Sequence, residues 1–217
     1  PGRQKEVEWA SLNMLVLGII VVLLWGWVHV GATYVVREIV RGNASFVFSD
    51  FFHAIKTNFW SGFGIGVFDI GIIGILCFDF LFFRAQTQSG TFISGILYGV
   101  ICILIVLYLI MRAYIYPMFV TFSLSLKKLL KNALIFTTLG IKRNVMMILG
   151  VALLTFINVA IVVFLLPLGI AGGLVLPFIH YFAFCWFTVV YCSFPVIQKY
   201  MIDPYVNKQE NDSTEAE

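Results

Sequence analysis

The sequence predicts an all-α membrane protein. It has about five transmembrane helices and two cytoplasmic interfacial amphipathic helices, with the N-terminus outside and the C-terminus in the cytoplasm. Three observations predict this. The 217 residues are 61% hydrophobic and 12% charged, with mean hydropathy +0.98, whereas a soluble domain carries about 25% charged residues. The apolar residues fall into runs of the length, about 20 residues, that crosses a bilayer core as a helix. Two further stretches repeat apolar residues on a helical period and carry lysines on the other side. The net charge of +3 is too small to suggest nucleic acid.

The spans are expected at about 12–35, 62–83, 92–116, 145–166 and 174–195. Trp9 and Tyr34 flank the first at the depths where aromatic residues favour the interface. Its apolar run is too long for a signal-peptide core and lacks an A-x-A-like cleavage site, so a retained span is expected. Arg37, Glu38 and Arg41 then mark a cytoplasmic loop. In 46–60, Phe48, Phe51, Phe52, Ile55 and Phe59 share one helix face, and Ser49 and Asp50 suit its start. The second span opens with Gly62 and Gly66, a small-xxx-small pair; Gly95/Gly99 and Gly169/Gly173 repeat the pattern. Such pairs let helices approach closely, but the pattern alone names no partner. Pro117 is expected to end the third span.

The segment 123–141 is the second interfacial helix, with Ser123 or Ser125 as N-cap. Leu126, Leu129, Leu130, Ala133, Leu134 and Thr137 fall on one face; Lys127, Lys128 and Lys131 fall on the other. Such a helix lies in the bilayer surface. PLGIAGG, 167–173, is a charge-free turn, and the polar tail 198–217 is expected to be cytoplasmic and disordered. Residues 1–197 read as a single polytopic domain. On this topology Arg3, Lys5 and Arg84 lie outside and the other eleven of the 14 Lys and Arg lie inside, which sets the orientation.

Ionisable residues within spans are costly and are functional candidates by default. Asp69 lies about 10 Å from the cytoplasmic end of the second span and Arg112 about 7 Å from that of the third, at 1.5 Å per residue. Their matched depths favour an intramembrane ion pair, since either charge alone is expensive; the alternatives are Arg112 snorkelling to lipid phosphates and Asp69 in proton or ion coupling. Asp79 sits nearer the outer end. Asn158 and His180 have comparable depths and are placed to hydrogen-bond as helix glue or to line a polar path. Cys77, Cys102, Cys185 and Cys192 lie in apolar runs without CxxC spacing and read as core residues. The sequence has no phosphate loop, G-x-S-x-G or HExxH motif, and its three histidines are scattered. No catalytic residue, metal site or cofactor is expected.

Several blocks carry a family resemblance: GATYVVREIVRG after the first span, then FSDFFHAIKTNF, then YIYPMF leading into SLKKLLKNAL. In order and spacing the chain resembles the YesL-like family of bacterial integral membrane proteins over nearly its whole length. The resemblance implies a five-span protein of the Gram-positive cell membrane. Family members are often encoded beside ABC importers and enzymes for complex glycans, which implies an accessory subunit for oligosaccharide uptake and supplies no catalytic residues. Permeases of such importers resemble one another in a cytoplasmic E-A-A-x-x-x-G loop. Here Asn132, Ala133 and Leu134 stand in that place and Gly140 is too far downstream, so the chain is not read as the permease.

The expected function is therefore a non-enzymatic accessory subunit of a carbohydrate ABC importer. Lys127, Lys128, Lys131, Phe51 and Phe52 form its candidate docking face for importer subunits or anionic lipid headgroups. The rival is an independent transporter or channel with Asp69, Arg112, Asn158 and His180 along its path. A third reading is a membrane regulator of sugar utilisation.

Overall fold

The apolar runs become long helices, because in hydrocarbon every backbone N–H and C=O must be satisfied within its own segment. A computed structural model describes residues 2–87, 90, 92–168 and 175–214. Among them the order is α1 (Gly2–Val40), α2 (Val47–Thr57), α3 (Phe59–Thr87), α4 (Phe92–Thr121), α5 (Leu126–Leu139), α6 (Ile141–Leu165), a 3-10 turn (Leu166–Leu168), α7 (Val175–Ile197), a π turn (Gln198–Ile202) and α8 (Asp203–Thr214), with no strand. Among the described residues, five stretches are long and apolar enough to cross a membrane: Trp9–Val40, Phe59–Thr87, Phe92–Thr121, Ile141–Leu165 and His180–Lys208. The all-α, five-span class expected from the sequence is the one observed.

The chain forms two compact units. One comprises Pro1–Ala32 and Val47–Val106; the other comprises Thr33–Phe46 and Leu107–Glu217. In the first, α1 and α3 cross at glycines. A Cβ on Gly26 would run into the carbonyl of Gly62 and the Cα of Gly66, and one on Gly66 would run into Gly26. Of the small-residue pairs, Gly62/Gly66 therefore makes a backbone-to-backbone contact. Gly95 and Gly99 face open space, and Gly169/Gly173 lie outside the described residues. Trp27 closes the same crossing, donating to the Phe59 carbonyl at 2.8 Å and stacking on the Phe59 ring. The amphipathic helix α2 buries Ala54 and packs the Phe51 ring on Gly31, where a Cβ would lie 2.6 Å from that ring. Asn58 separates α2 from α3; its side chain donates to the Ala54 carbonyl at 3.0 Å.

The second unit has the denser core. Tyr114, Tyr116, Pro117, Met118, Leu129, Val190, Phe194 and Ile197 are fully buried. The YIYP block is thus interior rather than a surface motif. On α5, Leu129, Ala133 and Thr137 are buried and Lys127, Lys128 and Lys131 are exposed, as its period predicts, whereas Leu126 and Leu134 of the expected apolar face are exposed and Phe136 is buried instead.

The structure corrects three expectations. Pro117 does not end the third span: α4 runs on to Thr121, whose hydroxyl donates to the Pro117 carbonyl at 2.6 Å. Proline is tolerated in membrane helices when neighbouring groups satisfy the freed backbone. The first helix does not stop before Arg37 but continues to Val40, because Arg37 is paired and buried. The tail is not disordered in its described part: it is helical through Thr214. There the backbone N–H of Asp203 donates to the Gln198 carbonyl, five residues back. This wide turn lies between Pro195 and Pro204 and carries the helix past two residues that lack an N–H.

Candidate functional site

Asp69 is set by the glycine crossing. Two helices that touch at Gly26 and Gly66 bring the residues just beyond within side-chain reach. Trp25 Nε1 donates to Asp69 Oδ2 at 2.9 Å, and Asp69 is only 3% exposed. His29 extends the cluster along α1: its Nδ1 lies 2.8 Å from the Trp25 carbonyl and its ring 4.5 Å from the Trp25 ring. The first unit's interior thus holds a buried acidic side chain bonded to an indole that an imidazole in turn packs against.

Arg112 belongs to the second unit and is half-buried. Its guanidinium carbon stands 5.4 Å from the Tyr116 ring centre and 5.6 Å from that of Trp186. Such contacts contribute about 0.5–2 kcal/mol each, more as water is excluded. Trp186 is itself fixed, donating to Thr33 Oγ1 at 3.0 Å and meeting Tyr116 edge to face. The two members of the expected ion pair therefore each have structured surroundings within their own unit.

The remaining candidates lie on α3, α6 and α7. Asp79 is half-buried on α3, and Asn158 is half-buried on α6. His180 is exposed on α7, its ring edge-on to Phe184. Close to them, α6 and α7 share a bond between the Thr155 and Tyr181 hydroxyls at 2.8 Å. Phe51 is committed to Gly31, so it is Phe52, 56% exposed, with Phe48 beside it at 81%, that α2 turns outward.

Sequence reasoning missed the role of Arg37. It is 6% exposed. Its Nη1 donates to the Val120 carbonyl and to Thr121 Oγ1, and its Nε and Nη2 donate to Glu38 Oε1 at 2.9 and 2.6 Å. The guanidinium also lies 4.6 Å over the Tyr34 ring. A cation that satisfies the Val120 carbonyl in the last turn of α4 also complements the negative end of that helix. Asn43 completes the cluster by donating to Glu38 Oε2. The signal in the sequence was an Arg-Glu pair directly at the end of a span. The charges read as a solvated loop because a neighbour separated by 83 residues is invisible to local pattern.

A second buried network joins α4, α5 and α6. Tyr114 donates to Asn144 Oδ1 at 2.6 Å, and Asn144 Nδ2 donates to the Thr137 carbonyl at 2.8 Å. Gly140, between α5 and α6, lacks a side chain where the Tyr114 hydroxyl sits. Beside that corner is a cleft of ≈ 570 Å³ lined by residues of 138–143 and 195–200, among them Lys142, Arg143 and Lys199.

Against known proteins, a family model described as a protein of unknown function, DUF624, matches residues 9–80. YesL-like proteins belong to that family. The matched stretch holds the Gly26–Gly66 crossing, α2, Asp69 and Arg37. No curated protein and no solved structure matches the chain.

Proposed function

We propose that this chain is an accessory subunit of a carbohydrate or oligosaccharide ABC importer, neither its ATPase nor its permease, and not an enzyme. It would sit in the cell membrane of a Gram-positive bacterium with its N-terminus outside and its C-terminus in the cytoplasm. The observation that carries the docking part is α5. Its residues Leu129, Ala133, Phe136 and Thr137 are buried in the second unit, while Lys127, Lys128 and Lys131 are exposed. Among the described residues these lysines make no ion pair. A rigidly seated helix with a free cationic face fits an acidic partner surface or anionic headgroups. The exposed Phe52 of α2 offers an apolar anchor of its own. The importer itself comes from the YesL-like resemblance.

The test is affinity purification of the tagged protein from its native membrane in mild detergent, followed by mass spectrometry. The expected result is a sugar-importer permease or solute-binding protein in near-stoichiometric amount, lost in the K127E/K128E/K131E variant. Recovery of the well-folded chain alone would sink the reading.

Buried Asp69 favours a second reading, an independent small-solute or ion transporter, since carboxylates within spans often mark ion pathways. In it, Asp69 would lie on the path of the transported solute or ion. Uptake into proteoliposomes that Asp69→Asn abolishes would favour it over the accessory role.

A further inference from the structure

The cleft beside the α5–α6 corner is the strongest unassigned feature of the molecule. Its polar wall comes from Lys142 and Arg143 at the start of α6 and from Lys199 in the π turn after α7. Among the described residues none of the three is ion-paired, and no acidic residue lines the cleft. The rest of its lining includes Ile141, which is 62% exposed, and Pro195 and Tyr200. The walls are built rather than adventitious. The Tyr114 hydroxyl occupies the place of a Gly140 side chain and fixes the corner. Phe136 stacks on Tyr200, and Lys199 Nζ lies 5.4 Å from the Tyr200 ring centre. The π turn displaces Lys199 and Tyr200 from the register that an uninterrupted α7 would give them.

We propose that this cleft binds the phosphate of an anionic phospholipid headgroup. Three unneutralised cations ask for an anion, and a phosphate offers enough acceptor oxygens to meet all three. A volume of this size takes a small molecule rather than a lone ion. The source is lipid because of where the cleft lies. The candidate span of α6 begins at Ile141, on the lining of the cleft, which sets the cleft at the level of headgroups, and exposed Ile141 gives an acyl chain an apolar track. The site is separate from the lysines of α5 and does not depend on the importer reading.

The full chain, purified in neutral detergent, is mixed with phosphatidylglycerol or phosphatidylcholine, and bound lipid is measured by native mass spectrometry. Phosphatidylglycerol binds preferentially. In K142Q/R143Q/K199Q its affinity falls roughly a hundredfold, about fivefold for each cation near an anionic headgroup. The charge-matched variant K56Q/R84Q/K208Q keeps wild-type affinity. K142R/R143K/K199R also keeps it, which separates loss of charge from loss of fold. Equal binding of phosphatidylcholine, or equal loss in the charge-matched variant, overturns the site. Displacement of the lipid by millimolar inorganic phosphate overturns the lipid as its occupant.

Discussion

At Gly26, Gly62 and Gly66 the first unit brings two backbones together by omitting side chains. At Arg37, Tyr114 and Asn144 the second unit joins its helices through buried polar side chains. The difference reflects what lipid removes. Between membrane helices there is no hydrophobic drive, because acyl chains are as apolar as leucine; close van der Waals packing and hydrogen bonds remain. The first unit relies on packing for its main crossing, with indole hydrogen bonds from Trp25 to Asp69 and from Trp27 to the Phe59 carbonyl beside it. The second unit relies on polar groups whose loss leaves a partner stranded. The two should therefore fail differently when mutated.

The largest effect is expected at Arg37. Arg37→Met removes the donor to the Val120 carbonyl and leaves Glu38, whose side chain is 13% exposed, without its main partner. Breaking a buried pair by removing one member costs about 3 kcal/mol. Unfolding in mixed detergent micelles checks this, and a loss below about 1 kcal/mol, the usual worth of a surface pair, would show that the cluster is solvated.

Next comes the glycine crossing, where the sign of the effect is diagnostic. By helix propensity alone, Gly→Ala is favourable by about 1 kcal/mol. Gly66→Ala should instead destabilise by about 2 kcal/mol, because its Cβ meets the Gly26 backbone and overpacking cannot be relieved by a rotamer change. Gly99→Ala, facing open space, should show no loss. If both variants behave alike in thermal melts, the crossing is not the contact that holds α1 to α3.

The smallest effect is expected at Tyr114. Tyr114→Phe removes one donor to Asn144 and costs about 1 kcal/mol, the usual net worth of a hydrogen bond. It also empties the space against Gly140. Gly140→Ala alone should therefore destabilise, and adding Tyr114→Phe should cost less than the sum of the two single changes. Strict additivity would mean that the hydroxyl does not fix the corner between α5 and α6.

The sequence by itself determined the class of this protein, because hydrophobic length and helical period are local quantities. The five apolar runs, the amphipathic faces of α2 and α5 and the outward turn of Lys127, Lys128 and Lys131 could all be read from spacing. Tertiary structure decided what depends on a distant neighbour. Three glycine pairs look alike in the chain, yet only a partner backbone at Gly26 distinguishes Gly62/Gly66 from Gly95/Gly99. Arg37 reads as a loop cation until the end of α4 arrives beside it. Pro117 reads as a stop until it is buried in the core of the second unit and α4 runs past it to Thr121. The physical reason is the same each time: propensity and hydropathy act over a few residues, whereas steric fit and the pairing of buried polar groups are set only when segments far apart in the chain share the same space.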